Sequence, residues 1–216
     1  MKIIHESPEA LAEAVTVLEA GGVVIHATET CYGITCDLTN PKALERLFAV
    51  KQRPLDQPVS ALFSSLEEAQ KYVIFSDKAL SLAEKYLPGP LTLVLPPEKN
   101  PPFPISVCPQ PLFTLHSSFL ISSIGVRLSS HPFAQALALA FGKPIATTSA
   151  NLHGKPNPYA VSEIEAQWAQ SSQLPDLVID SGLLPIAPPS TVIEVISDSI
   201  RVLRQGDVIV DPPNMR

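Results

Sequence analysis

Short apolar runs alternate along this chain with stretches that carry helix start and stop signals, and that alternation leaves few folds open to it. In SPEALAEAVTVLEAGG, Ser7 stands where an N-cap oxygen is wanted, Pro8 follows at the first turn, and Gly21 ends the segment. Leu11, Ala14, Val15 and Leu18 share one face of that helix. NPKALERLFAVK repeats the device with Asn40 and Pro41. SLEEAQKYV places Ser65 and Glu68 at capping-box spacing, and SDKALSLAEKYL stops at Pro88-Gly89-Pro90. HPFAQALALAFG, with His131 at the capping position, and VSEIEAQWAQ are further helices. The runs between them, GVVIHA, VSALF, LTLVLP, IGVRLS, KPIATTSAN and LVID, have strand length. STVIEVI and SIRVLRQG read as a β-hairpin.

The expected architecture is therefore α/β, a twisted mixed β-sheet flanked by helices. At 216 residues and 45% hydrophobic content the chain can bury one full core. No repeat and no linker divides it, so residues 1–216 are expected to form one domain. The longest apolar runs are five or six residues, far too short for a membrane span, and the N-terminus lacks the apolar stretch of a signal peptide. Three cysteines without CxxC spacing point to free thiols in a reducing cytoplasm, and five scattered histidines offer no zinc pattern. A net charge of −6 argues against a surface devoted to nucleic acid, though not against a local basic cleft. Prolines crowd between Pro96 and Pro111, marking one long irregular connection.

Polar residues that a core does not need collect at the ends of predicted strands. They occur from His26 to Gly33, in KQRPLDQP (Lys51 to Pro58), in Gly125-Val126-Arg127, in TTSAN (Thr147 to Asn151) and at Ser190-Thr191 with Arg204. Strand ends are where open α/β sheets bind ligands. Taken singly, each has a simpler reading: Lys51 and Arg53 suit a helix C-terminus, and Ser, Thr and Asn make turns. Arg127 is different, because a cation inside a strand must reach solvent or meet an anion. If Lys51, Arg53, Arg127 and Arg204 converge, they form a polyanion site built from side chains, since no P-loop or Rossmann glycine pattern is present. Cys31 could serve as a nucleophile only with a paired base, and the sequence identifies none. Trp168, at helical spacing from Ile164, reads as core or partly covered surface.

Taken in order, TETCYGITCD, KQRPLDQP, YLPGPLTLVLP, IGVRLSSHP, PIATTSANLHGKPNP, PPSTVIEV and LRQG resemble the YrdC/Sua5/TsaC family of threonylcarbamoyl-AMP synthases. The likeness runs from about residue 8 to 208 and matches the short form without a separate C-terminal Sua5 domain. It implies a twisted α/β fold like that of DHBP synthase, with a large concave basic cleft. It implies that L-threonine, bicarbonate and ATP, with Mg²⁺ alongside the ATP, give threonylcarbamoyl-adenylate and pyrophosphate. A threonylcarbamoyl transferase complex would then carry the group to tRNAs that read ANN codons, forming N6-threonylcarbamoyladenosine. Residue by residue, the resemblance assigns Thr30, Arg127, Thr147 and Ser190 to threonine. It assigns Lys51, Arg53, Gln57, Ser123, Ser149, Asn157 and Arg204 to ATP. No protein nucleophile is required: the task is to hold anions together and neutralise them. Arg127→Ala and Lys51→Ala are accordingly expected to impair turnover without unfolding the chain.

Several positions depart from the family pattern. Ala27 replaces a proline, Leu62 stands where long-form members place a histidine, and His153 and Asn157 replace serines. Pro189 replaces an acidic residue, Gln205 a proline, and residues 97–119 are unlike the family. An alternative is a non-catalytic RNA-binding relative of the YciO type using the same cleft for phosphate contacts. A carbamoyl-adenylating domain of the hydrogenase-maturation kind is disfavoured, because the modules that accompany it are absent from the sequence.

Overall fold

The computed structural model describes residues 1–55, 57–103, 123–197 and 199–210. Cys108, His116 and most of the proline-rich connection at 97–119 lie outside the described residues.

Helix starts follow the side-chain chemistry. Helix α1 (Pro8–Glu19) is capped by Ser7, whose Oγ accepts from Ala10 N at 3.1 Å. Helix α2 (Pro41–Lys51) is capped by Asn40 Oδ1, which accepts from Lys42 N and Ala43 N. Ser65 caps α3 (Leu66–Ala69) and Ser76 caps α4 (Asp77–Tyr86). The α3 segment ends after one turn, shorter than its capping signal suggests, because Tyr72 and Val73 turn inward and are buried. His131 occupies the N-cap position of α5 (Pro132–Phe141) but its side chain makes no capping bond. In front of α6 (Val161–Trp168), Glu163 reaches back to accept from Tyr159 N and Ala160 N. Trp168 is fully inside, its Nε1 donating to Val50 O at 3.1 Å.

The strands are β1 (Lys2–His5), β2 (Val24–Ala27), β3 (Tyr32–Asp37), β4 (Ser60–Leu62) and β5 (Leu91–Leu95), then β6 (Ile124–Arg127), β7 (Ile145–Ser149), β8 (Leu177–Asp180), β9 (Thr191–Ile196) and β10 (Ser199–Arg204). They form one mixed ten-stranded sheet in the order β1-β8-β2-β3-β7-β4-β6-β5-β9-β10. Four pairs are parallel (β1 with β8, β8 with β2, β4 with β6, β5 with β9), the other neighbours are antiparallel, and β9-β10 is the expected hairpin. Two strands had no counterpart in the sequence reading. One is β1. The other is β3, which takes up YGITCD and pairs with β2 on one side and β7 on the other.

Strand alternation sends neighbours to opposite faces. Ile25, Ala61, Leu93, Val126, Ala146 and Ile193 belong to the larger core, under α2, α4 and α6. Val24, Leu62, Ile145 and Leu177 belong to a smaller core under α1 and α5. Those two helices pack on one another, and their sheet contacts are with β2, β3 and β8. On that same face, the positions of β4, β6, β5 and β9 that alternate with the larger core are Ser60, Gly125, Thr92, Val94, Val192 and Glu194, and all of them line a cavity.

Candidate active site

The cavity has a volume of about 430 Å³. Its floor is a cross-strand row in Cα register: Thr147 on β7, Ser60 on β4, Gly125 on β6, Val94 on β5 and Glu194 on β9. Two glycines keep the floor low. A Cβ at Gly125 would sit 3.0 Å from Ser60 Oγ and 3.3 Å from Thr92 Cγ2. One at Gly33 would approach Thr28 Cγ2 to 3.2 Å.

One wall is the turn between β2 and β3. Thr28 organises it: its Oγ1 donates to Cys31 O at 2.7 Å, lies 3.1 Å from Thr30 Oγ1, and accepts from Thr30 N. That is the local reason a buried strand ends in hydroxyl residues, since the side chain satisfies backbone groups the turn leaves open. Cys31 lines the same wall, and burial pushes its thiol up, away from what a nucleophile needs.

Arginines bring positive charge to the cavity. Arg127 Nη2 donates to Glu29 Oε1 at 2.7 Å and to Thr30 Oγ1 at 3.0 Å. Arg204 grips Ser190, with Nε and Nη2 on the carbonyl oxygen at 3.0 and 2.8 Å and Nη2 on Oγ at 2.9 Å. Ser190 Oγ is 3.2 Å from Thr92 Oγ1. Burial and then the Arg127 charge pull the Arg204 guanidinium below its usual range, so the two cations act on one another. A third guanidinium enters from Arg53, whose Nη1 donates to Thr148 Oγ1 at 3.1 Å and Nη2 to Pro58 O at 2.7 Å. Glu194, the one acidic residue on the floor, is paired with Arg201 at 3.1 Å.

Thr30, Arg127, Thr147 and Ser190 all line the cavity, as do Arg53, Ser123, Ser149, Asn157 and Arg204. Lys51 and Gln57 do not. Lys51 is only 2% exposed, and its Nζ points inward to Ser149 O, Asn151 O and Asn151 Oδ1 at 2.5, 2.8 and 3.0 Å. Burial, with the Arg53 charge, pulls its ammonium down to about 7. The lysine thus braces the loop that follows β7, where Ser149 Oγ donates to Asn151 Oδ1 at 2.5 Å. Gln57 is half-buried, and its backbone N–H donates to Pro54 O. The floor residues Ser60, Thr92, Val94, Val192 and Glu194 carried no signal at strand ends; Ser60 opens β4 and the others lie inside LTLVL and TVIEV, while Gly125 fell in the segment flagged for Arg127 but was given no role.

A family model for the Sua5/YciO/YrdC domain, described as "Telomere recombination", matches residues 16–206. The chain belongs to the Sua5/YciO/YrdC family. Among curated relatives, the threonylcarbamoyl-AMP synthase of Photobacterium profundum is 35% identical over 201 residues, covering 91% of this chain and 98% of the relative. Among solved structures, Sua5 of P. abyssi complexed with L-threonine superposes with a TM-score of 0.79 at 29% identity, over 95% of this chain. The chain spans 58% of that Sua5 protein's length. E. coli YciO superposes with a TM-score of 0.76 at 28% identity, covering 94% of both chains. The family fold is thus the mixed sheet with helices on its faces described above.

Proposed function

We propose that this protein is a nucleotidyltransferase that condenses L-threonine, bicarbonate and ATP into L-threonylcarbamoyl-adenylate, releasing pyrophosphate and water. The observation that carries the reading is the convergence of Arg53, Arg127 and Arg204 with hydroxyls of Thr30, Thr147 and Ser190 around one cavity. The curated relatives' names and the L-threonine complex of Sua5 support it. In this reading Thr30, Arg127, Thr147 and Ser190 hold the amino acid, and Arg53, Ser123, Ser149, Asn157 and Arg204 face the nucleotide.

The chemistry asks for positioning. The threonine amine takes up carbon dioxide equivalents from bicarbonate to give a carbamate, water leaving. A carbamate oxygen then attacks the α-phosphorus, and the bond to pyrophosphate breaks. Guanidiniums stabilise charge on carboxylate, carbamate and phosphoryl oxygens without themselves changing protonation. Mg²⁺ enters this scheme with ATP, as part of the substrate. Among the described residues no cluster of three or more His, Cys, Asp or Glu is suited to a resident metal. Lys51 supports the nucleotide side indirectly, by fixing the backbone of Ser149 and Asn151.

The product would pass to a threonylcarbamoyl transferase complex acting on tRNA. The setting we propose is the cytoplasm. No helix among the described residues is long and apolar enough to cross a membrane, and Cys31 and Cys36 are free thiols. The likeness to YciO favours a second reading, a non-catalytic RNA-binding protein with the same cleft. Incubation with ATP, Mg²⁺, bicarbonate and threonine separates the two. Pyrophosphate release that needs both threonine and bicarbonate supports the enzyme, whereas salt-sensitive RNA binding without release supports the second reading.

A further inference from the structure

Arg127 is held at one terminal nitrogen. Among the described residues both of its hydrogen bonds fall on Nη2, to Glu29 Oε1 and Thr30 Oγ1, while its Nε is buried and has no partner. An unpartnered buried N–H is costly unless a ligand completes it. Behind the arginine, Glu29 is absent from the cavity lining, and its side chain is only 12% exposed. Its second oxygen accepts from Ser129 Oγ. Ser129 Oγ in turn accepts from His131 N at 3.2 Å, at the start of α5. A relay therefore runs from a helix end through Ser129 and Glu29 to the guanidinium. Burial pushes the Glu29 carboxyl up, but the charge and hydrogen bond of Arg127, with that of Ser129, outweigh it and hold the group below its ordinary value.

A carboxylate beside an anion site has an obvious disadvantage. It cancels part of the charge that would attract the substrate. What it gives in return is geometry, because a long arginine stem has many rotamers and its planar fork binds a carboxylate well in few of them. We infer that Glu29, braced by Ser129, is a positioning residue that locks the Arg127 guanidinium so that its remaining N–H donors are presented to an anionic oxygen of the substrate. This rests on the proposed reaction, in which that oxygen belongs to the threonine carboxylate.

The test uses the full chain and the variants Glu29→Gln, which keeps shape and an acceptor oxygen, and Ser129→Ala. Threonine binding is followed by calorimetry and turnover by pyrophosphate release, with thermal unfolding to confirm a folded protein. Glu29→Gln is expected to weaken threonine binding and raise its KM by about tenfold, with the KM for ATP changed less than twofold; Ser129→Ala acts in the same direction, by about threefold. In an Arg127→Lys background, Glu29→Gln is expected to have little further effect, because a point charge has no fork to orient. Unchanged threonine affinity in folded Glu29→Gln, equal rises for threonine and ATP, or full additivity with Arg127→Lys would each overturn the proposal. A wild-type protein that binds threonine but releases no pyrophosphate sinks the reaction and leaves the calorimetric ratio to decide on Glu29. A wild-type protein that binds no threonine sinks both.

Discussion

Lys51 and Arg127 illustrate how a residue with a plausible ligand-binding role can owe part of its presence to the fold. Truncating Lys51 to Ala removes the ammonium donor from the Ser149 and Asn151 carbonyl oxygens in a largely buried loop, while Asn151 Oδ1 keeps its bond from Ser149 Oγ. The expected cost is about 2–4 kcal/mol of stability, measurable by urea unfolding. Arg127→Ala leaves the Glu29 carboxylate, 12% exposed, without its cation, so it too should lower the unfolding midpoint while abolishing threonine-dependent turnover. His26 supplies a pH dependence of known sign. It is fully buried with Nδ1 on Ala27 O and Nε2 unpartnered, and burial lowers its pKa to about 4. Between pH 6.5 and 4 the unfolded chain binds a proton that the folded chain refuses, so stability is lost as the solution is acidified. The loss should reach about 3 kcal/mol by pH 4, and His26→Leu should flatten that limb of a pH series of denaturation curves.

At the scale of elements, capped helices and apolar strands were legible in the sequence because their signals are local. Ser7, Asn40 and Ser76 cap the helices their spacing announces. The segment YGITCD was not read as a strand because its value as β3 is tertiary: Gly33, Thr35 and Asp37 tolerate burial only once β2 and β7 flank them. The cavity was legible in the same measure. Arg127 stood out as a cation inside a strand, but Gly125 and Val94 carry no signal until register sets them side by side. Gly125→Val tests the floor directly. The added methyls meet Ser60 and Thr92 and fill the trough, so turnover should fall by a hundredfold or more while the thermal midpoint moves only a few degrees. Gly206→Ala is harsher, because its Cβ would lie 2.0 Å from Pro189 O and 2.6 Å from Ser190 C, both backbone atoms that anchor the Arg204 end.

For the molecule as a whole, the cavity draws on strands from β3 to β10 and on the turn after β2, so a ligand seated there ties distant parts of the sheet together. Saturating ATP with threonine at about 100 times Kd should add about 2.7 kcal/mol of stability per independent site, and a thermal-shift series should show the pair raising the midpoint more than either alone. The negative net charge does not oppose this, since Arg53, Arg127 and Arg204 are local to the cleft while the carboxylates nearest to it, Glu29 and Glu194, are each already paired.

The base of the trough is a single file of residues, one from each of β7, β4, β6, β5 and β9. Its contour therefore cannot be remodelled by exchanging a surface loop, the usual route by which enzymes acquire new substrates. A descendant that accepts a bulkier acid would have to rewrite residues in the middle of adjacent strands, where every change is also felt by the core beneath. Such a scaffold should keep its choice of substrate for as long as it keeps its sheet.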